Sequence, residues 1–328
     1  MQVTEIPNQA EEQLQSKSNP FLHSLDNNLA YETYKGRMLF GKSDEILANG
    51  DLGYLENKVN LIFTSPPFIL NRKKKYGNET GEAYIKWLCD FGPLFKKMLT
   101  PDGSIVIELG NAWEPRQPVM STLVMKALLE FQEKNDLYLC QEFIWNNPAK
   151  LPSPAQWVNI ERSRVKDSFT KIWWLSPVTK PKACNLNVLQ EYSKSMKTLL
   201  KRGSYNSGKR PSEHDISETS FLKNNGGAIP SNVLNYSNTS SSDGYINYCK
   251  KNNIPVHPAR MPPDLARFFI KFLTDPNDIV LDPFGGSNTT GAAAEELDRF
   301  WLSIEASEQY IEGSKGRFLN KIISNSFE

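Results

Sequence analysis

Short apolar runs alternate along the chain with longer segments whose apolar residues recur at helical spacing. The runs Val59–Ser65 and Gly103–Gly110 predict buried strands, and Glu82–Leu99 predicts a helix that Gly92-Pro93 should kink or split. Further strands are predicted at Leu137–Trp145, Thr170–Ser176, Asp278–Phe284 and Phe300–Glu305, and further helices at Met120–Lys134, Val188–Arg202, Pro262–Thr274, Asn288–Leu297 and Ser307–Leu319. Because fully apolar strands separated by helices are typical of parallel sheets, the pattern predicts an α/β fold with a mostly parallel sheet and helices on both faces.

The alternation stops between residues 177 and 250. This segment is rich in Ser, Asn, Gly and Lys, and its run Tyr236–Tyr245 cannot build a core. We interpret it as an inserted small domain or a set of binding loops. The polar residues 1–28 predict a flexible N-terminal arm. The expected organisation is therefore an arm over 1–28, a main domain in two parts over 29–176 and 251–328, and an inserted region over 177–250.

The composition is that of a globular protein, with 39% hydrophobic and 23% charged residues among 328. No apolar run approaches the ~20 residues of a membrane helix, and the polar N-terminus lacks the apolar core of a signal peptide. The four cysteines are far apart and the three histidines are scattered, which argues against a zinc site or a disulfide framework. We therefore expect a cytoplasmic protein with no metal site and no membrane partner.

The formal net charge of +1 hides a strongly basic region. Residues 141–210 carry thirteen Lys or Arg against four Asp or Glu, and Lys194–Arg210 carries six basic residues and no acid. A second basic cluster consists of Arg72, Lys73, Lys74 and Lys75. A short basic run is usually a solvated surface, but a basic region of this length predicts a polyanionic partner.

A second feature is the glycine-containing turn after the predicted strand Asp278–Phe284. Gly285 and Gly286 allow close backbone approach, and the following helix start offers free N–H groups. The next strand ends at Glu305, where an acid can accept hydrogen bonds from ribose hydroxyls. Neither the P-loop pattern nor the GxGxxG pattern of dinucleotide sites fits this turn. A nucleoside cofactor is therefore expected here, although a turn of this kind can also bind nothing.

Two motifs together resemble those of the DNA amino-methyltransferases. TSPPF (64–68) resembles the S-P-P-[YF] catalytic motif of the enzymes that methylate the exocyclic N4 of cytosine, and DPFGGSNTTG (282–291) resembles their S-adenosyl-L-methionine loop. HPARMPPDLARFFIKFLT (257–274) resembles the segment that completes their methionine pocket. Because the catalytic motif comes first, then the basic insertion and then the cofactor loop, the order resembles that of the β group, over about Arg37–Leu319.

The resemblance implies a Rossmann-like S-adenosyl-L-methionine-dependent methyltransferase fold in which 177–250 is the target-recognition region. It implies double-stranded DNA as the partner and, by analogy, a restriction endonuclease in a bacterial or phage-encoded restriction-modification system. Cofactor-binding residues are expected at Asp44, His257, Asp282, Phe284, Gly285, Gly286, Ser287, Asn288, Thr289 and Glu305. DNA-binding residues are expected at Arg72, Lys73, Lys74, Lys75, Arg202, Lys209, Arg210 and His214, because Arg and Lys bind phosphates and read guanine edges. His257 can equally be a structural histidine.

The chemistry explains the TSPPF motif independently. An exocyclic amino nitrogen is a poor nucleophile, and acceptors around its protons favour the tetrahedral geometry of the transition state. Ser65 and the Pro66 carbonyl can accept these protons, with Pro67 stiffening the turn. Phe68 can stack on a base that has swung out of the duplex. Glu108 ends the next strand, where it can accept an amino proton, donate to ring N3 when protonated, or be an ordinary strand-end acid.

Three alternatives differ in the substrate or in the class of protein. Ser65 stands where adenine-modifying relatives usually carry Asp or Asn, which favours cytosine but leaves adenine N6 open. Methylation at cytosine C5 needs a cysteine nucleophile, usually after proline, and no cysteine here follows proline. A non-catalytic DNA-binding protein on a decayed methyltransferase fold is a different class, against which the intact Ser65, Asp282 and Glu305 argue.

Overall fold

The computed structural model describes residues 19–21, 24, 26–68, 81–239 and 243–323. Its strands are β1 (Leu29–Glu32), β2 (Gly36–Phe40), β3 (Val59–Thr64), β4 (Leu99–Gly110), β5 (Tyr138–Asn146), β6 (Phe169–Ser176), β7 (Gly208–Lys209), β8 (Asp215–Ile216), β9 (Val233–Asn235), β10 (Ile279–Asp282) and β11 (Phe300–Glu305). Its α-helices are α1 (Ser43–Ala48), α2 (Glu82–Met98), α3 (Leu123–Lys134), α4 (Lys194–Arg202), α5 (Gly244–Lys251), α6 (Pro263–Leu273), α7 (Thr289–Glu296) and α8 (Glu308–Ser314).

Within the described ranges, nine strands form one sheet in the order β1-β2-β11-β10-β3-β4-β6-β5-β9. Strands β2, β11, β10, β3 and β4 are parallel, while β6 is antiparallel to both of its neighbours. Because β6 reverses direction, β5 runs in the same sense as β4. The predicted mostly parallel sheet is confirmed, and the carboxyl ends of β11, β10, β3, β4 and β5 all lie at one edge.

Helices cover both faces of the sheet, as the continuous apolar strands predict. Ile62 of β3 points into a core formed with α2 and α3, where Phe95 and Phe131 are fully buried. Its neighbour Phe63 points to the opposite face and packs against Phe269 of α6, with ring centroids 5.2 Å apart. Since successive side chains of a strand face opposite sides, burial of both faces requires an unbroken apolar run.

Helix α2 runs through Pro93 without a break, so the split predicted at Gly92-Pro93 is wrong. Gly92 lies where α2 meets α3. A Cβ atom at this position would be 1.9 Å from Cγ of Asn135, whose amide donates to the carbonyls of Cys89 and Phe131. The glycine therefore permits the close contact between the two helices, and tertiary packing maintains the helix across the proline.

The inserted region 177–250, expected to be a small domain or a set of binding loops, contributes elements to several parts of the fold. Strand β9 joins the main sheet beside β5, while β7 and β8 form a small hairpin. Helix α5 begins in this region and packs against the turn Lys315–Arg317, where a Cβ atom on Gly316 would lie 2.4 Å from Cβ of Tyr248. The structure therefore joins α5 to the second part of the main domain.

The segment just before β1 packs onto the sheet. Phe21 is buried against Phe300, and its carbonyl accepts a hydrogen bond from Arg37, which also pairs with Asp26. The flexible arm expected over 1–28 stays a prediction, because residues 1–18, 22, 23 and 25 lie outside the described part. No helix in the described ranges is long and apolar enough to span a membrane.

Candidate active site

Four polar residues lie at the carboxyl ends of four adjacent parallel strands. Ser65 follows β3, Glu108 lies near the end of β4, Asp282 ends β10 and Glu305 ends β11. This edge is where α/β sheets bind ligands, because the strand ends and the following loops form a crevice there. The sheet thus brings the predicted catalytic and cofactor residues, which are far apart in sequence, into one row.

Ser65 and Glu108 form a direct pair. The registration of β3 with β4, Thr64 opposite Ile107, places the two residues side by side, and the Ser65 hydroxyl donates to Oε2 of Glu108 at 2.5 Å. The Glu108 carboxyl is 3% exposed. Burial raises its pKa, and the Ser65 hydroxyl and the nearby Thr170 hydroxyl oppose this rise. The Thr170 hydroxyl makes no hydrogen bond to Glu108. Oε1 of Glu108 accepts no hydrogen bond from any described residue.

The rest of the TSPPF motif supports this pair. Pro66 is buried, while Pro67 and Phe68 are partly exposed. The Phe68 ring lies over Gly110, where a Cβ atom would be 3.4 Å from Cε1 of the ring. The ring is therefore fixed beside the end of β4 with part of its surface accessible. The basic cluster Arg72, Lys73, Lys74 and Lys75 lies outside the described residues.

Thr64 links the catalytic motif to the cofactor loop. Its hydroxyl donates to Oδ1 of Asp282 at 2.7 Å, and the same oxygen accepts from the backbone N–H of Phe284 at 3.1 Å. Burial raises the pKa of Asp282, and the hydrogen bonds from Thr290, Thr64 and Phe284 N–H oppose this rise. A buried carboxyl that joins β3 to β10 therefore holds the two motifs in fixed relation.

The cofactor loop is anchored by Glu305. Its Oε2 accepts from the N–H of Gly286 at 2.7 Å and its Oε1 from the N–H of Ser307 at 2.8 Å. Gly286 has φ +52°, and a Cβ there would lie 3.2 Å from Nε2 of His257. Burial raises the pKa of Glu305, and these backbone N–H groups oppose the rise. The predicted residues Gly286, His257 and Glu305 thus meet, and Gly285 donates to the Ile304 carbonyl beside them at 2.8 Å.

Asn288 serves as the N-cap of α7 in this structure. It has φ +53°, a left-handed conformation that Gly and Asn tolerate best. The side chain is fully buried: Oδ1 accepts from Gly291 N–H and from Ser303, and Nδ2 donates to Tyr31. Ser287 and Thr289 are buried with it. A cofactor role for these three residues stays a prediction.

Two further cofactor candidates lie on either side of the loop. Phe284 packs in an aromatic cluster with Trp87 and Phe91, at centroid distances of 5.5 and 5.2 Å. Asp44 is exposed in the first turn of α1, and the adjacent Ser43 hydroxyl donates to the Pro283 carbonyl. Asp44 is thus one residue from a direct contact with the cofactor loop, and its role stays a prediction.

The described DNA-binding candidates belong to the inserted region. Arg202 ends α4, and Lys209, Arg210 and His214 belong to the β7–β8 hairpin, where the Arg210 N–H donates to the His214 carbonyl. The Arg210 guanidinium lies 5.8 Å from the centroid of the Tyr205 ring. The hairpin groups three of these side chains, and their contact with DNA stays a prediction.

The sequence did not reveal three residues that complete the site. Thr64 stands inside the TSPPF motif, so its position next to Ser65 was the available signal. Arg317 donates to the carbonyl of Ser287 at 2.6 Å and lies 4.8 Å from the centroid of the Tyr245 ring. Trp87 and Arg317 are remote in sequence from both motifs, and nothing in the sequence indicated their positions.

The sheet is mostly parallel, with β1 and β6 reversed, and it carries an acid-anchored glycine loop with a Ser-Pro-Pro-Phe turn beside it. These features define a methyltransferase of the kind that modifies DNA. A family model described as DNA methylase matches residues 59–316. The chain belongs to this DNA methylase family.

Proteins similar to this chain include type II methyltransferases. The chain is 41% identical over 313 residues to the type II methyltransferase M.PvuII of Proteus hauseri, covering 95% of this chain and 92% of that protein. It is 25% identical over 273 residues to M.BglII of Bacillus subtilis, covering 80% and 66%. A solved structure of the PvuII DNA methyltransferase, described as cytosine-N4-specific, has a TM-score of 0.71, 36% identity and coverage of 92% and 91%.

Proposed function

We propose that this protein transfers a methyl group from S-adenosyl-L-methionine to the exocyclic N4 of cytosine in double-stranded DNA. The observation that carries this proposal is the hydrogen-bonded pair Ser65–Glu108 beside the loop that Asp282 and Glu305 anchor. The full-length similarity to a cytosine-N4-specific DNA methyltransferase supports the choice of base. Ser65 in place of the Asp or Asn that is usual in adenine-modifying relatives supports it independently.

The residues of the cofactor loop fit S-adenosyl-L-methionine. Glu305 has acceptor capacity beyond its two backbone hydrogen bonds and can bind ribose hydroxyls. The absence of a Cβ at Gly286 lets the His257 ring pack directly against the backbone of the cofactor loop. Asp282 is buried and Glu305 is partly buried, and neither has an ion-pair partner among the described residues, which suits a cationic ligand. When bound, S-adenosyl-L-methionine supplies an electrophilic sulfonium methyl group.

The residues of the catalytic pair prepare the amino nitrogen. In the structure Ser65 donates its proton to Glu108, so the lone pairs of Ser65 Oγ remain available to accept an amino proton. The Pro66 carbonyl provides the second acceptor. Together they favour the tetrahedral nitrogen that develops in the transition state. Because the ionised form of Glu108 accepts from Ser65 most strongly, we expect the rate to increase as Glu108 loses its proton.

The relatives support a proposal for the setting of the reaction. The name type II methyltransferase, given to M.PvuII and M.BglII, supports a cognate restriction endonuclease that acts on the same DNA sequence. The bacterial origin of both supports a cytoplasmic, bacterial or phage-encoded protein. The basic hairpin with Lys209, Arg210 and His214 belongs to the target-recognition region, where Arg202 also lies.

Product analysis tests this proposal. The protein is incubated with S-adenosyl-L-methionine and unmethylated bacterial DNA, and the nucleosides are identified by mass spectrometry. We expect N4-methylcytosine, which Ser65→Ala should reduce by at least about 100-fold because an acceptor is lost. Ser65→Thr retains a hydroxyl and is the matched control.

The alternatives give different products. N6-methyladenine would overturn the assignment of the base while leaving the methyltransferase class intact. A protein that binds DNA but forms no methylated nucleoside would be the non-catalytic alternative. Sequencing of the modified DNA then locates the methylated cytosine and gives the recognition sequence.

A further inference from the structure

The three most exposed large apolar side chains of the described residues lie on one loop. Leu151, Ile160 and Val165 have exposed fractions of 81%, 70% and 86%. All three belong to residues 147–168, which join β5 to β6 and are here called the wedge loop. Single exposed apolar residues are ordinary on protein surfaces, but a group of them on one loop indicates a binding surface.

The wedge loop rises from the same edge of the sheet as Ser65 and Glu108. Since β5 is parallel to β4 and β6 is antiparallel to it, the end of β5 and the start of β6 both lie there. Asn111, three residues after Glu108, donates to Oδ1 of Asp167 at 2.8 Å and to the Phe169 carbonyl at 3.2 Å. The positive charge of Lys150 is close enough to Glu108 to lower the pKa of that carboxyl. The loop therefore borders the catalytic pair.

Hydrogen bonds within the wedge loop hold it in a defined shape. The Asp167 N–H donates to the Ser153 carbonyl at 2.9 Å, and the Ser163 and Arg164 N–H groups donate to the Trp157 carbonyl at 2.9 and 3.2 Å. The Arg164 side chain is anchored on the Pro118 carbonyl at 3.0 Å. Because the backbone is braced while the apolar side chains project outward, their exposure is a property of the folded loop.

The charge of the wedge loop indicates the chemistry of its partner. Three cations stand close in sequence to Ile160 and Val165: Arg162, Arg164 and Lys166. None of the three forms an ion pair with a described residue. A surface that mixes apolar tips with cations suits a partner with apolar interior faces and an anionic exterior. Duplex DNA has this character, since its stacked bases are flanked by phosphates.

We propose that the wedge loop inserts Leu151, Ile160 or Val165 into the base stack of duplex DNA beside the target cytosine, and so stabilises the extruded base. Apolar side chains that enter a base step partly unstack it, and the gap left by an extruded base offers them burial. Arg162, Arg164 and Lys166 would bind the phosphates on either side. This inference rests on the proposed function, because it identifies the residues that open the base pair for the reaction.

The test compares matched and mismatched substrates. The variant carries Leu151→Ser, Ile160→Ser and Val165→Ser, and Leu139→Ser is the control, an apolar residue of 42% exposure at the opposite end of β5. Single-turnover methylation is measured on a duplex with the target cytosine paired to guanine and on one with it opposite adenine, where extrusion is easier. We expect the triple variant to lose at least about tenfold in rate on the matched duplex and to recover most of it on the mismatch.

A second readout follows extrusion directly. A fluorescent cytosine analogue at the target position brightens when it leaves the stack, and we expect the triple variant to reduce this brightening while Leu139→Ser does not. Circular dichroism and thermal unfolding confirm that the variant is folded.

Three results would overturn the proposal that the wedge loop enters the base stack. Wild-type rates on both duplexes, or an equal loss on both, would show that these side chains do not open the base pair. Loss of self-association in sedimentation, with unchanged matched and mismatched rates, would assign the patch to a second copy of the chain. Failure of the proposed function is distinguishable, because the wild-type protein would then methylate neither duplex.

Discussion

Replacing Glu108 by Gln should stabilise the protein at pH 8 while it slows the reaction. The carboxyl is 3% exposed, and Oε1 accepts no hydrogen bond from the described residues. Burial raises the pKa of Glu108, and the Ser65 hydroxyl opposes this only in part. The amide of a glutamine can still accept from Ser65, but it carries no charge that must be removed from water.

The sign of the pH dependence follows from proton binding. A glutamate in the unfolded chain has a pKa of about 4.3, and the native pKa of Glu108 lies above its ordinary value. Between the two values the native state binds more protons than the unfolded state, so the free energy of unfolding falls as the pH rises. Each unit of difference costs about 1.4 kcal/mol above the native pKa, which corresponds to roughly 2 °C in Tm for a chain of this size.

Thermal unfolding of wild type and Glu108→Gln between pH 5 and pH 8 measures this effect. The Tm advantage of the variant should be smallest at pH 5 and should grow toward pH 8. Glu133→Gln, which replaces an exposed acid of α3, is the control and should show no such growth. The turnover number of Glu108→Gln should fall by about 100-fold. A Tm difference that is independent of pH would refute the reasoning, because it could not arise from the ionisation of Glu108.

Three further predictions concern the link and the packing around the site. Thr64→Val removes a hydrogen-bond donor to buried Asp282, so it should lower the free energy of unfolding in urea by about 1–3 kcal/mol and weaken cofactor binding measured by calorimetry. Thr64→Ser keeps the hydroxyl and should retain both the stability and the cofactor affinity. Asn288→Ala and Asn288→Gly both remove the side chain that caps α7, but only glycine adopts the left-handed backbone without strain. Asn288→Ala should therefore lower the urea midpoint more than Asn288→Gly. An equal decrease would show that the left-handed conformation does not limit the choice of residue. Gly92→Ala should lower the free energy of unfolding in urea by about 1–3 kcal/mol, because the new Cβ would overlap Asn135. Ala83→Gly, at an exposed position of α2, is the control that measures the effect of helix propensity alone.

Most of the sheet could be predicted from the sequence, because burial on both faces leaves a continuous apolar run such as Leu61-Ile62-Phe63. The reversed direction of β6 leaves no such signal, since parallel and antiparallel buried strands have the same composition. Pro93 misled the prediction of α2 because helix propensity is local, whereas the contact between Gly92 and Asn135 is tertiary. The packing of Phe21 against the sheet was also not predictable, because the residues around it in the sequence are mostly polar.

The site was predictable where chemistry is concentrated in a motif and unpredictable where it depends on registration. Ser65, Asp282 and Glu305 stand at strand ends beside turn residues, which is a local signal. The bond from Thr64 to Asp282 depends on which strands are neighbours, and β3 and β10 are separated by more than two hundred residues. The wedge loop was visible only as a basic segment, because the exposure of Val165 is a property of the folded loop.

The three acids of this edge, Glu108, Asp282 and Glu305, lead to one last prediction, about proton release. Burial raises the pKa of Glu108, Asp282 and Glu305, and the charge of Asp282 raises that of Glu305 further. A cationic ligand beside Asp282 and Glu305 would lower both values and expel protons. Calorimetric titration with S-adenosyl-L-methionine, in two buffers of different ionisation enthalpy, should therefore show proton release, and this release should decline once the pH exceeds the raised pKa values of the free protein. The analogue S-adenosyl-L-homocysteine, which lacks the sulfonium charge, should release fewer protons. Equal release by the two ligands would mean that these acids do not face the sulfonium.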